Sequence, residues 1–277
     1  MTAPAAPAKP PVVEFRNVTV RFGDFVALHD VSFRIEDVPN RGEFVTMLGP
    51  SGCGKSTVLN LIAGFQQPTS GEVLLHGVPV GGPDSDRGMI FQQYSSFPHL
   101  TVLGNVTFGM ELDRSAGRLS AKGRHERAMD LIAQVGLSGH EGKYPHQLSG
   151  GQQQRVAIAR SLAVEPRILL MDEPFSALDE PTRLEMQELV VGLWNRIQPT
   201  IFCVTHSITE AVYLGERVWI FCTRPGQIVY DIRDAIPQSP GLTPMAAQEL
   251  PAFKQAAKVV GEAFRKVGDS KRAAPSR

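Results

Sequence analysis

The sequence has no long hydrophobic run and no excess of either charge, and these absences narrow its possible functions. No apolar stretch reaches the roughly 20 residues that a membrane-spanning helix needs. The Ala/Pro-rich start at residues 1–11 lacks the apolar core of a signal peptide. Because 28 Lys and Arg residues balance 28 Asp and Glu residues, no overall basic field attracts nucleic acid or an anionic membrane. We therefore expect a protein that is made and kept in the cytosol and binds no nucleic acid.

Cysteine is scarce as well. The three residues, Cys53, Cys203 and Cys222, are an odd number at spacings that match no zinc pattern. We expect reduced thiols, as is usual for a cytosolic protein. Two interpretations of Cys53 stay open. It is either a small residue that fills a variable loop position, or a thiol whose pKa is lowered beside a helix N-terminus, which would make activity sensitive to oxidants.

The stretch from Gly49 to Thr57 agrees in full with the phosphate-loop pattern Gly-x-x-x-x-Gly-Lys-Ser/Thr. It follows a strand-like run at 43–48 and opens a helix-like run at 57–63. In that order, glycines let backbone N–H groups and the helix N-terminus point at phosphates. Lys55 would neutralise the β- and γ-phosphates, and the Ser56 hydroxyl would ligate Mg²⁺. The predicted phosphate-binding residues are Gly49, Pro50, Ser51, Gly52, Cys53, Gly54, Lys55, Ser56 and Thr57.

The hydrophobic periodicity indicates an α/β fold. Strand-like runs alternate with helical runs after the phosphate loop, and 168–171 is a continuous apolar run typical of a buried parallel strand. Between about 102 and 140 the apolar spacing becomes helical. The pattern predicts a P-loop NTPase core with a mainly parallel sheet and right-handed crossovers. An N-terminal antiparallel β region precedes this core, and a helical insertion subdomain interrupts it.

A second group of motifs narrows the class, since a phosphate loop alone would allow kinases, GTPases and many ATPases. The chain carries Leu-Ser-Gly-Gly-Gln at 148–152, Asp-Glu-Pro at 172–174, Ser-Ala-Leu-Asp at 176–179 and a histidine at 206. In this order the set resembles the nucleotide-binding subunit of ATP-binding cassette (ABC) transporters, over roughly residues 12–235. A metabolic kinase would have no reason to carry the motif at 148–152. The resemblance implies that the protein hydrolyses ATP and that ATP is bound together with Mg²⁺.

The residues suggest how hydrolysis would proceed. Asp172 ends an apolar strand, which suits a carboxylate linked to Mg²⁺ directly or through water. Glu173 beside it is the candidate general base that polarises the attacking water. The resemblance implies that Gln92 senses Mg²⁺ and this water, and that His206 contacts the γ-phosphate. The predicted catalytic residues are thus Glu173, His206 and Gln92, and the predicted metal site consists of Ser56, Gln92 and Asp172.

A second anion-binding turn is expected at the start of the helix after Leu148, formed by Ser149, Gly150, Gly151 and Gln152. In the family this signature meets the ATP bound by the other subunit. One chain has one phosphate loop and one signature, so the resemblance implies two composite sites in a head-to-tail dimer, with a second ATP-binding subunit as partner. Asp179 would lie at that interface and couple the sites.

The adenine ring needs mainly an aromatic face. Phe22, just before Gly23, matches the family's stacking aromatic, where tyrosine is common. Phe25 is the competing choice, and a buried core position for either residue is the alternative to adenine binding.

Three segments divide the chain. Residues 1–11 are predicted to be a disordered N-terminal tail, and 12–235 the ABC ATP-binding domain with its insertion at about 100–165. Residues 236–277 form a C-terminal extension with one helix, whose apolar positions run from Phe253 to Val267, and a frayed end from Asp269. This helix either packs on its own domain or serves as a dimer-contact or regulatory helix.

The resemblance also implies membrane partners, because the chain has no membrane span of its own. The region Tyr94–Val102 would receive a coupling helix from integral membrane permease subunits, although His99 stands where similar importers often carry tryptophan. The chain would therefore lie on the cytoplasmic face of the inner membrane, as a peripheral subunit, with an extracytoplasmic solute-binding protein as an indirect partner.

Several local sequences look like the nitrate/sulfonate/taurine group of importers. They lie at 82–92, 101–106, 173–175 and 223–228. Transported solutes do not contact this kind of subunit, so its site residues do not specify the cargo. Two alternatives stay open. The first is an ABC ATPase that powers export or lipid movement, and the second is a soluble mechanochemical ABC ATPase, which the single compact cassette disfavours.

Overall fold

The computed structural model describes residues 9–92, 95–112, 119–222, 225–233 and 241–272. Two sheets form its framework. The smaller, antiparallel sheet has the order β2-β1-β4-β5 and contains β1 (Val13–Phe22), β2 (Phe25–Ile35), β4 (Ser70–Leu75) and β5 (Val78–Pro79). The larger sheet has the order β10-β9-β3-β8-β7-β6 and contains β3 (Phe44–Leu48), β6 (Arg87–Ile90), β7 (Ile168–Asp172), β8 (Thr200–Thr205), β9 (Arg217–Cys222) and β10 (Gln227–Ile232).

The larger sheet is parallel except for its β10–β9 edge pair. Every residue of β3 is buried, because this strand lies between β9 and β8 with both faces covered. Together with the separate antiparallel sheet, this arrangement confirms the predicted fold class. In a parallel sheet the carboxyl ends of neighbouring strands meet at one edge, and the register shows it here: Leu48 is opposite Thr205, and Asp172 is opposite Val204.

The helices cover both faces of the larger sheet. They are α1 (Lys55–Ala63), α2 (Val102–Leu112), α3 (Ala121–Gln134), α4 (Gly150–Ala163), α5 (Glu180–Ile197), α6 (Ile208–Leu214), α7 (Pro244–Glu249) and α8 (Pro251–Arg272). α1 packs between the two sheets in one hydrophobic core, whereas α2, α3 and α4 share a second core with α5. Within the described ranges, no helix combines the length and apolarity that crossing a bilayer requires.

The C-terminal part packs on the rest of the chain. Phe253, Ala256 and Val260 of α8 are buried in a third core with residues of α6 and β9. The helix continues to Arg272, so the backbone extends three residues beyond the predicted start of fraying at Asp269. β10 and α7 are not predicted from the sequence, because a half-exposed edge strand and a six-residue helix leave weak periodicity. Of the predicted disordered tail, residues 1–8 lie outside the described ranges, and Pro11 is buried.

Candidate functional site

The phosphate loop connects the end of β3 to the start of α1. Gly52 and Gly54 have φ angles of 74° and 91°, in the left-handed region that favours glycine. A Cβ atom at Gly54 would lie 2.9 Å from the Ala27 carbonyl oxygen, so the loop packs directly against β2. Gly54 is also the N-cap of α1 and provides no side-chain cap. The first N–H groups of α1 are therefore available to an anion.

Lys55 is held inside this loop. Its side chain is 5% exposed, and its Nζ donates to the carbonyl oxygens of Gly49 at 2.8 Å and Pro50 at 3.0 Å. This cation belongs to the first residue of α1, whose initial N–H groups have no side-chain cap. The loop thus presents the charge and the donors that a chain of phosphates needs.

Cys53 occupies the interior of the same loop. It is 1% exposed, and burial raises the pKa of its thiol, while the nearby Lys55 ammonium opposes that rise. A reactive thiol would need the reverse, a lowered pKa and an accessible sulfur atom. The structure therefore favours the interpretation of Cys53 as a small residue that fills the loop.

Ser56 and Asp172 meet across the loop. The Ser56 hydroxyl donates to Oδ1 of Asp172 at 3.1 Å. Burial raises the pKa of Asp172, which the hydrogen bond from Ser56 opposes and the charge of Glu173 reinforces. In the described ranges no three His, Cys, Asp or Glu side chains cluster as a metal cage. A single carboxylate beside a hydroxyl fits Mg²⁺, which keeps several waters and shares phosphate oxygens.

Glu173 and His206 form the second contact of the site. Nε2 of His206 lies 2.6 Å from Oε1 of Glu173. Glu173 has a φ angle of 49°, which turns the chain out of β7, and its N–H donates to the Val204 carbonyl oxygen of β8 at 3.2 Å. The third predicted catalytic residue, Gln92, follows β6 with an exposed side chain. All three stand at the carboxyl edge of the larger sheet.

The signature turn begins α4. Ser149 caps this helix: its Oγ accepts from the N–H of Gln152 at 3.3 Å, and Oε1 of Gln152 accepts from the N–H of Ser149 at 3.0 Å. A Cβ atom at Gly151 would lie 2.5 Å from the Thr182 methyl group, so α4 begins against α5. Asp179 precedes α5 and is exposed. No hydrogen bond within the described ranges joins this turn, at 149–152, to the phosphate loop.

Phe22 and Phe25 lie opposite each other at the tip of the β1–β2 hairpin. Their side chains are 55% and 52% exposed, which excludes a core position for either. The hairpin adjoins the phosphate loop, because β2 residues Ala27 and Leu28 contact Gly54. Both rings are accessible to a planar ligand.

The segment that begins at Ser95 is hydrogen-bonded to the helical insertion. Asn105 is fully buried and binds the backbone of Phe97 through both its carbonyl oxygen and its amide. Arg160 of α4 donates to the carbonyl oxygen of Ser95 at 2.6 Å and stacks over the Phe97 ring. Pro98 and His99, which follow Phe97 in the sequence, are exposed. Tyr94 of the predicted coupling region lies outside the described ranges, as do Thr223 and Arg224 of the importer-like sequence.

A cleft of about 710 Å³ opens elsewhere on the molecule. Its lining includes Gly42, Arg167 and Pro199, which lie just before the first residues of β3, β7 and β8, respectively. That is the amino edge of the sheet, opposite to the phosphate loop. None of the predicted site residues lines this cleft, so cavity size does not identify the site.

The sequence analysis missed one buried carboxylate close to His206 in the sequence, that of Glu210 in α6. This residue is 6% exposed, and its carboxylate accepts a hydrogen bond from Gln187 of α5. A signal was present, because Ser-Ile-Thr-Glu at 207–210 has the Ser-x-x-Glu spacing of a helix start directly after His206.

Comparisons with known proteins agree with this geometry. A family model described as ABC transporter matches residues 28–176. The nitrate import ATP-binding protein NrtD of Synechocystis sp. is 47% identical over 215 residues, 78% of each chain. The taurine import ATP-binding protein TauB of Yersinia pestis is 47% identical over 203 residues, 73% of this chain and 76% of the relative. A solved dimeric ATP-binding cassette in a post-hydrolysis state, bound to ADP and Pi, has 36% identity and a TM-score of 0.66, over 80% of this chain and 98% of that one.

Proposed function

Because the chain belongs to the ABC transporter family and is an ATP-binding ATPase subunit, we propose that it powers a small-solute importer as a head-to-tail dimer. The observation that carries the proposal is a divided site. Ser56, Asp172, Glu173 and His206 meet at one edge of the sheet, whereas the turn at 149–152 is not bonded to them. A second chain would supply the missing turn.

The phosphate loop would bind ATP through its backbone N–H groups and Lys55. Ser56, Gln92 and Asp172 would hold Mg²⁺, which supplies charge neutralisation at the β- and γ-phosphates when bound. Phe22 would stack on the adenine ring. Since Lys55 already bonds two carbonyl oxygens, the loop is preorganised and needs little rearrangement to receive phosphates.

Glu173 would act as the general base. Its carboxylate would accept the proton of the attacking water, and His206 would hold that carboxylate in place while facing the γ-phosphate. The 2.6 Å contact between the two side chains supports this division of roles. The left-handed backbone at Glu173 supports it as well, since non-glycine residues in this strained conformation cluster at active sites.

The turn at 149–152 would close the site of a second copy. The N–H groups at the start of α4 and the Ser149 hydroxyl would face the γ-phosphate bound by the partner, and Asp179 would lie between the two sites. The dimeric state of the related ADP- and Pi-bound cassette supports this arrangement.

Import through separate permease subunits is the second half of the proposal. Two relatives at 47% identity are named for nitrate import and taurine import, which supports a small anion or sulfonate-like solute as cargo. The segment around Phe97 and His99 would receive the permease, with the chain peripheral on the cytoplasmic face of the inner membrane. A solute-binding protein would deliver the cargo on the other side.

The deciding experiment is light scattering of purified Glu173→Gln and wild-type protein with ATP and Mg²⁺. We expect the variant to form a stable dimer with ATP and not with ADP, because it binds ATP without hydrolysing it. Wild type should return to monomers as ATP is consumed. A monomeric variant that hydrolyses ATP at near-normal rate would contradict both the base assignment and the composite site.

A further inference from the structure

A buried carboxylate, that of Glu210, follows His206 by four residues and has no part in the chemistry described above. Glu210 is 6% exposed in the short helix α6, whose first residue comes two positions after His206. Burying a carboxylate is costly unless it is bonded. Burial raises the pKa of Glu210, while the nearby Thr205 hydroxyl, the charge of Arg183 and the hydrogen bond from Gln187 oppose the rise and the charge of Glu173 adds to it.

The hydrogen bonds of the turn at 205–210 depart from the usual helix start. A Ser-x-x-Glu sequence normally returns the glutamate to the N–H of the serine, which closes a capping box. Here the Ser207 N–H donates instead to Oγ1 of Thr205 at 3.1 Å. Ser207 Oγ still accepts from the Glu210 N–H at 3.3 Å, so half of the box forms. The Glu210 carboxylate is thereby released from capping.

The released carboxylate bonds outside its own helix. Its Oε2 accepts from Nε2 of Gln187 at 3.2 Å, and Gln187 is itself buried in α5. The Thr205 hydroxyl accepts from the N–H of Ser207, whose Oγ in turn accepts from the N–H of Glu210. A chain of hydrogen bonds therefore runs from Gln187 of α5 through Glu210 and Ser207 to Thr205.

These hydrogen bonds hold the residues on both sides of His206. Thr205 ends β8, and Ser207 caps α6, so the backbone that carries the imidazole is tied at both of its neighbours. We propose that Glu210 is a positioning residue for His206: its buried carboxylate fixes the turn at 205–207 and so aims the imidazole at Glu173. The inference rests on the proposed role of His206 in hydrolysis.

The test is a double-mutant cycle between Glu210→Ala and His206→Ala in the full-length chain, read as single-turnover ATP hydrolysis. Misplacing a catalytic group by about 1 Å can cost roughly 100-fold in rate, so we expect Glu210→Ala to lower the hydrolysis rate by about 10- to 100-fold. The KM for ATP, measured separately at steady state, should change less than about twofold, because the phosphate loop is untouched. In the His206→Ala background the same substitution should have no further effect.

Two controls separate positioning from folding. Glu210→Gln keeps an acceptor for the Gln187 amide and should retain most of the activity. Glu43→Ala removes another partly buried carboxylate, paired with Arg217 at the opposite edge of the sheet. Glu43→Ala should lower the melting temperature, and its effect should be the same with and without His206. If Glu210→Ala does not fold, Gln187→Ala removes one donor to the carboxylate and enters the same cycle.

The outcomes are distinct. An equal loss from Glu210→Ala with and without His206 would overturn the inference and leave the proposed function standing. Full activity of His206→Ala alone would remove the catalytic assignment of His206, and this inference with it. A loss of rate that Glu210→Ala causes only when His206 is present supports the positioning role.

Discussion

The Ser56 hydroxyl donates a 3.1 Å hydrogen bond to the Asp172 carboxylate, which joins the start of α1 to the end of β7 across 116 residues. In the described ranges, no group of three or more His, Cys, Asp or Glu side chains that could hold a metal ion surrounds this pair. The pair brings together the two oxygen types that Mg²⁺ takes from a protein when phosphates and waters supply the rest.

We predict that Ser56→Ala and Asp172→Asn each raise the Mg²⁺ concentration for half-maximal ATPase activity. The shift should be at least about tenfold, since even outer-shell partners of metal sites cost 10- to 100-fold in affinity. A magnesium titration at saturating ATP measures it. Ser138→Ala, an exposed serine in the insertion, is the matched control and should leave the curve unchanged. Identical curves for Ser56→Ala and wild type would remove Ser56 from the metal site.

The two exposed phenylalanines of the hairpin can be separated by substitution. Phe22→Ala should raise the KM for ATP by about 5- to 150-fold, because stacking of a base on an aromatic ring contributes about 1–3 kcal/mol. Phe22→Tyr retains the ring face and should behave like wild type. Phe25→Ala, equally exposed, is the control. A raised KM in Phe25→Ala alone would transfer the adenine contact to Phe25.

Ser149 caps α4 and is proposed to face the partner's ATP, and one pair of variants separates these two roles. Ser149→Ala removes the cap of α4 and should cost about 1 kcal/mol in the free energy of unfolding. Ser149→Asp keeps the cap, since aspartate caps as well as serine, but its charge repels a γ-phosphate. In the Glu173→Gln background, light scattering should therefore show no ATP-dependent dimer for Ser149→Asp despite normal stability. A normal dimer would place the signature away from the partner's ATP.

Thiol labelling tests the environment of Cys53. Because burial raises the pKa of this thiol, its thiolate fraction at pH 7.5 is below that of a free cysteine and increases only as the pH rises further. We expect N-ethylmaleimide at pH 7.5 to modify the partly exposed Cys222 first and to leave ATPase activity intact. Mass spectrometry of labelled peptides at pH 7.5 and pH 9.5 follows both sites. Inhibition at pH 7.5 that Cys53→Ala abolishes would restore the reactive-thiol hypothesis.

Much of the candidate site was predictable because its residues sit at the ends of regular elements. Lys55 opens α1, Asp172 ends β7 and Ser149 caps α4, and each of these boundaries has a local sequence signal. Weakly periodic elements were not predictable in the same way. β10 is an edge strand in which no residue is fully buried, and α7 has six residues, fewer than two helical turns.

Local sequence patterns were enough to identify the family, the alternation of strands and helices, and the residue types available for phosphate, metal and water. Which of these residues touch depends on the tertiary structure. Glu173 meets His206 because β7 lies beside β8, and Glu210 meets Gln187 because α6 packs on α5. Periodicity and capping act over a few residues, whereas these contacts depend on strand order and helix packing, which are set by burial of the whole core rather than by any local pattern.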